Sequence, residues 1–343
     1  LYYSCIANDN ELTNYKNKTS QQNNLGDTVS SIGKDICDLL QNKKGVYWFA
    51  SNGQGIYRYD GRILVNYKSK DGLVSDFVTQ IQEDINGVLW ISTRDGICSF
   101  NGNEFSKKIN LPNSPFLNKL SYKNGGLFFN YLNNMSFYDG KTFTLFSIKP
   151  SSYQESPNDM NRPYSVYSSV VDKDGKIWFG TQEKGVCCYD GTTYTYYTEL
   201  GLDKAAVRTL FQDKKGVIWA GTNGAGLFKF NGKEFSNFTT DNGLANTEFL
   251  KNLKSKDGTL ARPWTISEDQ EGNVWIGTID AGIWKYDGTK LTNYTTKDGI
   301  EGNSIWKIYK DKNGVLWYVI NGDAIYKYNG KSFSKFEFIA TVK

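Results

Sequence analysis

One unit recurs seven times along the 343 residues, at a mean spacing of about 45 residues, and no other feature restricts the possible folds so strongly. Its clearest copy starts at Ala206-Val207-Arg208-Thr209-Leu210-Phe211-Gln212-Asp213, turns through Lys214-Lys215-Gly216, and continues as Val217-Ile218-Trp219-Ala220-Gly221-Thr222. A loop to Gly226 follows, then Leu227-Phe228-Lys229-Phe230, the turn Asn231-Gly232, and Glu234-Phe235-Ser236-Asn237-Phe238. Apolar runs of this length between Gly- and Asn-containing turns predict four short antiparallel strands.

The unit is anchored by one tryptophan: Trp48, Trp90, Trp178, Trp219, Trp275 and Trp317, with Phe128 in its place in an irregular third copy. Three residues before each anchor stands a glycine, from Gly45 to Gly314, as a turn that needs positive φ requires. Six residues before it stands Asp84, Asp172, Asp213, Asp269 or Asp311, with Asn42 and Tyr122 in copies one and three. An Asp-Gly or Asn-Gly pair later in each copy, from Asp60-Gly61 to Asn329-Gly330, is a strong hairpin signal. A lone four-stranded unit leaves both faces bare, so the copies must stack, and closing the ring protects the end faces. The prediction is an all-β, seven-bladed β-propeller of four-stranded antiparallel blades over 35–343. An N-terminal segment, 1–34, precedes it, and its Glu11-Leu12-Thr13-Asn14-Tyr15 echoes the outer strand at Lys290–Tyr294. That echo suggests a ring-closing strand beside Ser332 to Phe336.

The pattern Asp-x-x-Gly-x-x-Trp-x-Gly-Thr, followed by Gly-aromatic-x-aromatic-Asp-Gly, resembles the two-component regulator propeller repeat over roughly residues 35 to 338. The resemblance implies a periplasmic sensor module of the kind found in hybrid histidine kinases of gut Bacteroidetes, which detect polysaccharide breakdown products. It departs from those sensors in offering one propeller's worth of blades, with no following β-sandwich, membrane span or kinase, so direct phosphotransfer by this chain is not expected.

Composition narrows the chemistry. There is no histidine, which removes the commonest general base and zinc ligand together with every Ser-His or Cys-His dyad. The five cysteines, Cys5, Cys37, Cys98, Cys187 and Cys188, show no C-x-x-C spacing, so neither a metal nor another cofactor is expected. Lys and Arg total 40 against 36 Asp and Glu without a basic run, which gives no support to nucleic-acid binding. No apolar run is long enough to span a membrane. The opening Leu1-Tyr2-Tyr3-Ser4-Cys5 looks like the end of a bacterial lipoprotein signal, with Cys5 as the lipid anchor. A periplasmic or cell-surface location is the corresponding expectation.

The recurring Asp and Trp read as structure, because one residue per blade is spread around the ring and cannot form a paired carboxylate centre. Gly53-x-Gly55 and Gly224-x-Gly226 lead into strands and lack the rest of a phosphate loop. Departures from the repeat are more informative. The links at Lys149–Arg162 and Ala245–Arg262 are enlarged and end alike, in Arg162-Pro163-Tyr164 and Arg262-Pro263-Trp264, which places both triplets near the channel mouth. Eleven residues before each anchor lie Cys37, Thr79, Leu117, Tyr167, Arg208, Trp264 and Trp306, bulky or charged in copies four to seven.

The expected ligand-binding set is therefore Arg162, Tyr164, Tyr167, Arg208, Arg262, Trp264 and Trp306. Loops after each Gly-Thr position add Arg94, Asp95, Gln182, Glu183, Asn223, Asp280, Asn321 and Asp323 as secondary candidates. Aromatic faces beside guanidinium groups suit stacking on sugar rings and gripping hydroxyls or carboxylates. The function expected is non-enzymatic recognition of a small molecule, an oligosaccharide or a surface protein. The alternatives are a scaffold for protein docking, or a propeller hydrolase or lyase; a lyase without histidine would need a Tyr or Lys as its base, for example Tyr164 or Tyr167 beside Arg162.

Overall fold

The computed structural model describes residues 25–111, 125–131, 134–150, 152–153 and 162–338. They form seven antiparallel sheets, one per repeat, arranged as a closed seven-bladed propeller. Blades four to seven each contain four strands in sequential order from the axis outward. Blade two has the strands Val78–Glu83, Leu89–Thr93 and Gly96–Phe100, and Phe105 bridges back to Phe100 at its outer edge. In blade three the strands are Leu127–Tyr131, Asn134–Tyr138 and Phe143–Phe146, and the innermost segment, with Leu117 and Tyr122, lies outside the described residues.

The recurring aspartate does two jobs in each turn. In blade five Asp213 Oδ1 accepts the Val217 amide at 2.9 Å, and Oδ2 accepts the Trp219 indole N–H, also at 2.9 Å. Asp84, Asp172, Asp269 and Asp311 accept their own Trp indoles at 2.7–3.0 Å. Asn42 in blade one supplies only the turn half, accepting from Lys44 and Val46, and the buried Trp48 Nε1 has no hydrogen-bond partner among the described residues. The glycine three residues before the anchor has φ near +80° to +90°, as at Gly216 (+87°), where a side chain would be strained.

Each anchor ring fills the seam to the next blade. Trp178 packs on Phe230 at 4.9 Å, Trp219 on Tyr286 at 6.2 Å, and Trp275 on Tyr328 at 5.0 Å. The ring closes by the same device, since Trp317 of blade seven lies 4.6 Å from Tyr47 of blade one. Hydrogen bonds span that seam as well: Ile36 N–H donates to Gly322 C=O at 2.7 Å, and the Tyr47 hydroxyl donates to Asp311 Oδ2 at 2.8 Å.

The proposed closing strand at Glu11–Tyr15 lies outside the described residues. A different N-terminal strand, Asp27–Val29, pairs antiparallel with the outer strand Leu64–Tyr67 and makes blade one five-stranded. At the other end, Phe336 and Phe338 seat against Tyr59, with ring centroids at 6.0 and 5.1 Å. The last residues of blade seven thus cover blade one through apolar packing.

Candidate functional site

The innermost strands share a defect. In blade five Val207 stands opposite Thr222 and Thr209 opposite Gly221, so Arg208 is an extra residue without a partner. The same shift leaves over Cys37, Thr79, Tyr167, Trp264 and Trp306 in the other described inner strands. A bulge of this kind bends the strand and redirects the unpaired side chain. Here it turns the residue eleven before the anchor toward the propeller axis in the six blades whose inner strand is described. All six line one cavity of about 450 Å³, a size suited to a small ligand.

The cavity has two unlike sides. Blades four to seven contribute Tyr167, Arg208, Trp264 and Trp306, whereas blades one and two contribute Cys37 and Thr79. The next residue along each strand forms a lower tier of Asp38, Gln80, Ser168, Thr209, Thr265 and Lys307, with Ser92, Ser169, Leu210 and Phe128 among the remaining lining. Repeat reasoning reached the bulged row but missed this tier, although its position ten before the anchor is equally regular.

Charge is distributed unevenly within the cavity. Lys307 Nζ is 2.7 Å from Asp38 Oδ1, while Asp38 Oδ2 accepts the Ile81 amide at 2.9 Å, so one carboxylate ties blades seven, one and two. Burial alone would lower the Lys307 pKa, but the adjacent Asp38 carboxylate outweighs it and holds the amine above its ordinary value. Burial, reinforced by Asp38, pushes the Cys37 thiol up to about 12. Cys37 is therefore a neutral thiol at physiological pH, donating to Val78 C=O at 3.2 Å, and is poorly suited to act as a nucleophile.

Arg208 is held differently. Its guanidinium carbon lies 3.8 Å from the Tyr167 ring centroid and 5.3 Å from that of Trp264. The Tyr167 hydroxyl donates to Gln182 Oε1 at 2.5 Å, which fixes the ring on which Arg208 stacks. Gln182 thus supports the cavity from the loop above it.

Other predicted residues lie elsewhere. Tyr164, only 9% exposed, is packed into the core between blades three and four with Phe146, Ile148 and Cys187, and its ring centroid is 4.8 Å from that of Tyr153. Desolvation raises its hydroxyl pKa. Tyr164 is thus packed away from the axial cavity and not at the channel mouth where its motif suggested it. Arg162 is exposed, with φ +44°, in the turn that leads into blade four, and is not among the cavity-lining residues.

Arg262 also lies outside the cavity lining: its Nε donates to Asn223 Oδ1 at 3.0 Å, its NH1 to Asp280 Oδ2 at 3.2 Å, and its guanidinium covers Phe249. Asn223 and Asp280 are thereby engaged in holding the enlarged link, which contains the short helix Phe249–Asn252, against blades five and six. Arg94 stacks on Phe77 at 3.7 Å. Asn321 is an exposed residue at φ +54° whose amide bonds Ser304 C=O. Asp95 and Asp323 are exposed, and the Glu183 amide donates to Pro163 C=O.

The glycine pairs discounted as phosphate loops have their amides occupied. Gly53 and Gly55 both donate to Asp76 C=O, and Gly224 and Gly226 both donate to Ala261 C=O. Cys5 lies outside the described residues. Among the described residues no helix is long and apolar enough to cross a membrane.

The molecule is thus a seven-bladed repeat propeller with a ligand-sized opening at its axis. Residues 72–95, 162–183, 201–224 and 258–280 match the two component regulator propeller model, so four stretches of the chain carry that repeat. No curated protein matches it at a significant level of sequence similarity.

Among solved structures, the extracellular domain assigned to a hybrid two-component system of B. thetaiotaomicron superposes with a TM-score of 0.63 at 20% identity, covering 91% of this chain and 40% of that one. The chain therefore spans about two-fifths of that ectodomain. Virginiamycin B lyase from Staphylococcus aureus is similar at TM-score 0.62 and 15% identity, covering 88% of this chain and 97% of the lyase. An ancestral GH74 enzyme gives 0.61 at 15% identity, covering 91% of this chain and 47% of the enzyme. At such identities the likeness is one of fold, and the same fold carries sensing domains and enzymes.

Proposed function

We propose that this propeller is an extracytoplasmic sensing module that binds a small oligosaccharide at the mouth of its central channel, without catalysing a reaction. The observation that carries the reading is the convergence of Tyr167, Arg208, Trp264 and Trp306 on one cavity by a bulge shared among blades. Aromatic faces offer the apolar surface a sugar ring stacks on, and the polar tier beneath offers hydroxyl partners. The four matches to the two component regulator propeller repeat and the fold shared with a two-component-system ectodomain support sensing and an extracytoplasmic setting.

The chemistry of the lining supports recognition over turnover. Asp38 is the one carboxylate among the described lining residues, and it is engaged by Lys307 and the Ile81 amide. A glycosidase needs two carboxyl groups about 5–10 Å apart. The neutral Cys37 and the displaced Tyr164 supply no substitute.

A glycan panel read by intrinsic Trp fluorescence tests the proposal. The expected result is a saturable signal with at least one oligosaccharide, weakened about tenfold or more by Trp264→Ala or Trp306→Ala, with the sugar recovered unchanged. Ligand turnover, or affinity indifferent to both substitutions, would overturn it. A second reading, docking of a surface protein on the same loop face, draws on Leu200, Leu250 and Leu253, which are 63%, 46% and 74% exposed. Docking of that kind would be insensitive to Trp306→Ala.

A further inference from the structure

We infer that the ligand presents an anionic group, a carboxylate or a sulfate, to Arg208. The inference rests on the binding role proposed for the channel mouth and specifies which chemistry that site selects.

Three observations combine. First, the cavity is not electrically balanced: Lys307 and Asp38 form an internal pair at 2.7 Å, and the second oxygen of Asp38 is taken by a backbone amide. Among the described lining residues Arg208 is left as a cation without a carboxylate within salt-bridge distance. Arg262, by contrast, is paired with Asp280 at 3.2 Å. Second, Arg208 Nε is buried and has no hydrogen-bond partner among the described residues. A desolvated donor on a charged group is costly until an acceptor reaches it.

Third, the side chain is held in place without its donors being used. Tyr167 and Trp264, from the neighbouring blades, present their ring faces to the guanidinium carbon. Contacts with ring faces use none of the guanidinium N–H donors, and a pair of those donors matches the two oxygens of a carboxylate or sulfate. A neutral hydroxyl would accept one hydrogen bond but leave the charge unbalanced. An anion answers both deficits in a partly water-excluded cavity, where the Coulomb term is least screened. Trp306, on the other side of Trp264, remains available for the body of the ligand.

The test is calorimetric titration of the full chain with digalacturonate, its methyl ester, galactobiose, a sulfated galactobiose and 3-phenylpropionate. The expected result is that at least one anionic probe binds about tenfold or more tightly than its neutral counterpart. Arg208→Gln should abolish the preference, Arg208→Lys should retain part of it, and added salt should weaken it, with thermal melting used to confirm that both variants fold. The carboxylate and sulfate arms separate the two sources of the anion.

Equal binding of charged and neutral sugars, or a preference that survives Arg208→Gln, overturns the inference and leaves the oligosaccharide reading intact. Arg208-dependent binding of 3-phenylpropionate without binding of any sugar supports the inference and overturns the oligosaccharide reading. Binding of none of the probes counts against both.

Discussion

Two triplets of nearly identical sequence, Arg162-Pro163-Tyr164 and Arg262-Pro263-Trp264, end the two enlarged links and have opposite fates. Trp264 lies in the axial cavity, whereas Tyr164 is packed between blades three and four. The difference is one of phase. Pro263 opens the inner strand Pro263–Glu268, so Trp264 falls on the bulge, eleven residues before Trp275. Tyr164 lies fourteen residues before Trp178, ahead of the strand Val166–Val171, and the bulge in that blade is occupied by Tyr167. A side chain's distance from the blade's anchor, and not the motif in which it sits, decides whether it faces the axial cavity or the core.

The comparison is broken most easily by truncating both aromatics. Tyr164→Ala removes a buried ring, and a loss of about 3 kcal/mol is expected from chemical denaturation. Trp264→Ala, which removes a partly buried ring at the edge of an open cavity, should cost clearly less than that. Equal losses would mean that the two positions are not distinguished by phase.

A smaller effect sharpens the same idea at a position where the repeat itself falters. Trp48 lacks the indole acceptor that Asp84, Asp172, Asp213, Asp269 and Asp311 supply in their own blades. Asn42→Asp should restore it while keeping the turn bonds to residues 44 and 46. A gain of about 1 kcal/mol in unfolding free energy is expected, the new charge-assisted bond being offset in part by carboxylate burial. A loss of stability would show that the blade-one turn does not tolerate the geometry of the other copies.

Much of the architecture was legible because it is repeated. Seven anchors, seven positive-φ glycines and seven Asx-Gly hairpins leave little freedom in strand number or ring size, and the structure keeps each in its expected role. The bulged row was visible for the same reason, as a column of unlike residues at one repeat position. Features that occur once were not visible. No periodicity announces that Asp27–Val29 extends blade one or that Arg262 is held by Asn223 and Asp280. Pairing of Lys307 with Asp38 joins residues from the first and last blades, a proximity that exists only after the ring has closed. Tyr164 was expected near the channel mouth from its local resemblance to Trp264, whereas register places it in the core.

The nine tryptophans allow that claim to be tested without any ligand. Trp264 and Trp306 line the cavity, whereas Trp48, Trp90, Trp178, Trp219, Trp275, Trp284 and Trp317 are buried. In protein labelled with 5-fluorotryptophan, a neutral paramagnetic relaxation agent should broaden two ¹⁹F resonances, assigned by Trp264→Phe and Trp306→Phe, and leave the others sharp. Protection of those two signals, or broadening of the anchor tryptophans, would contradict the account.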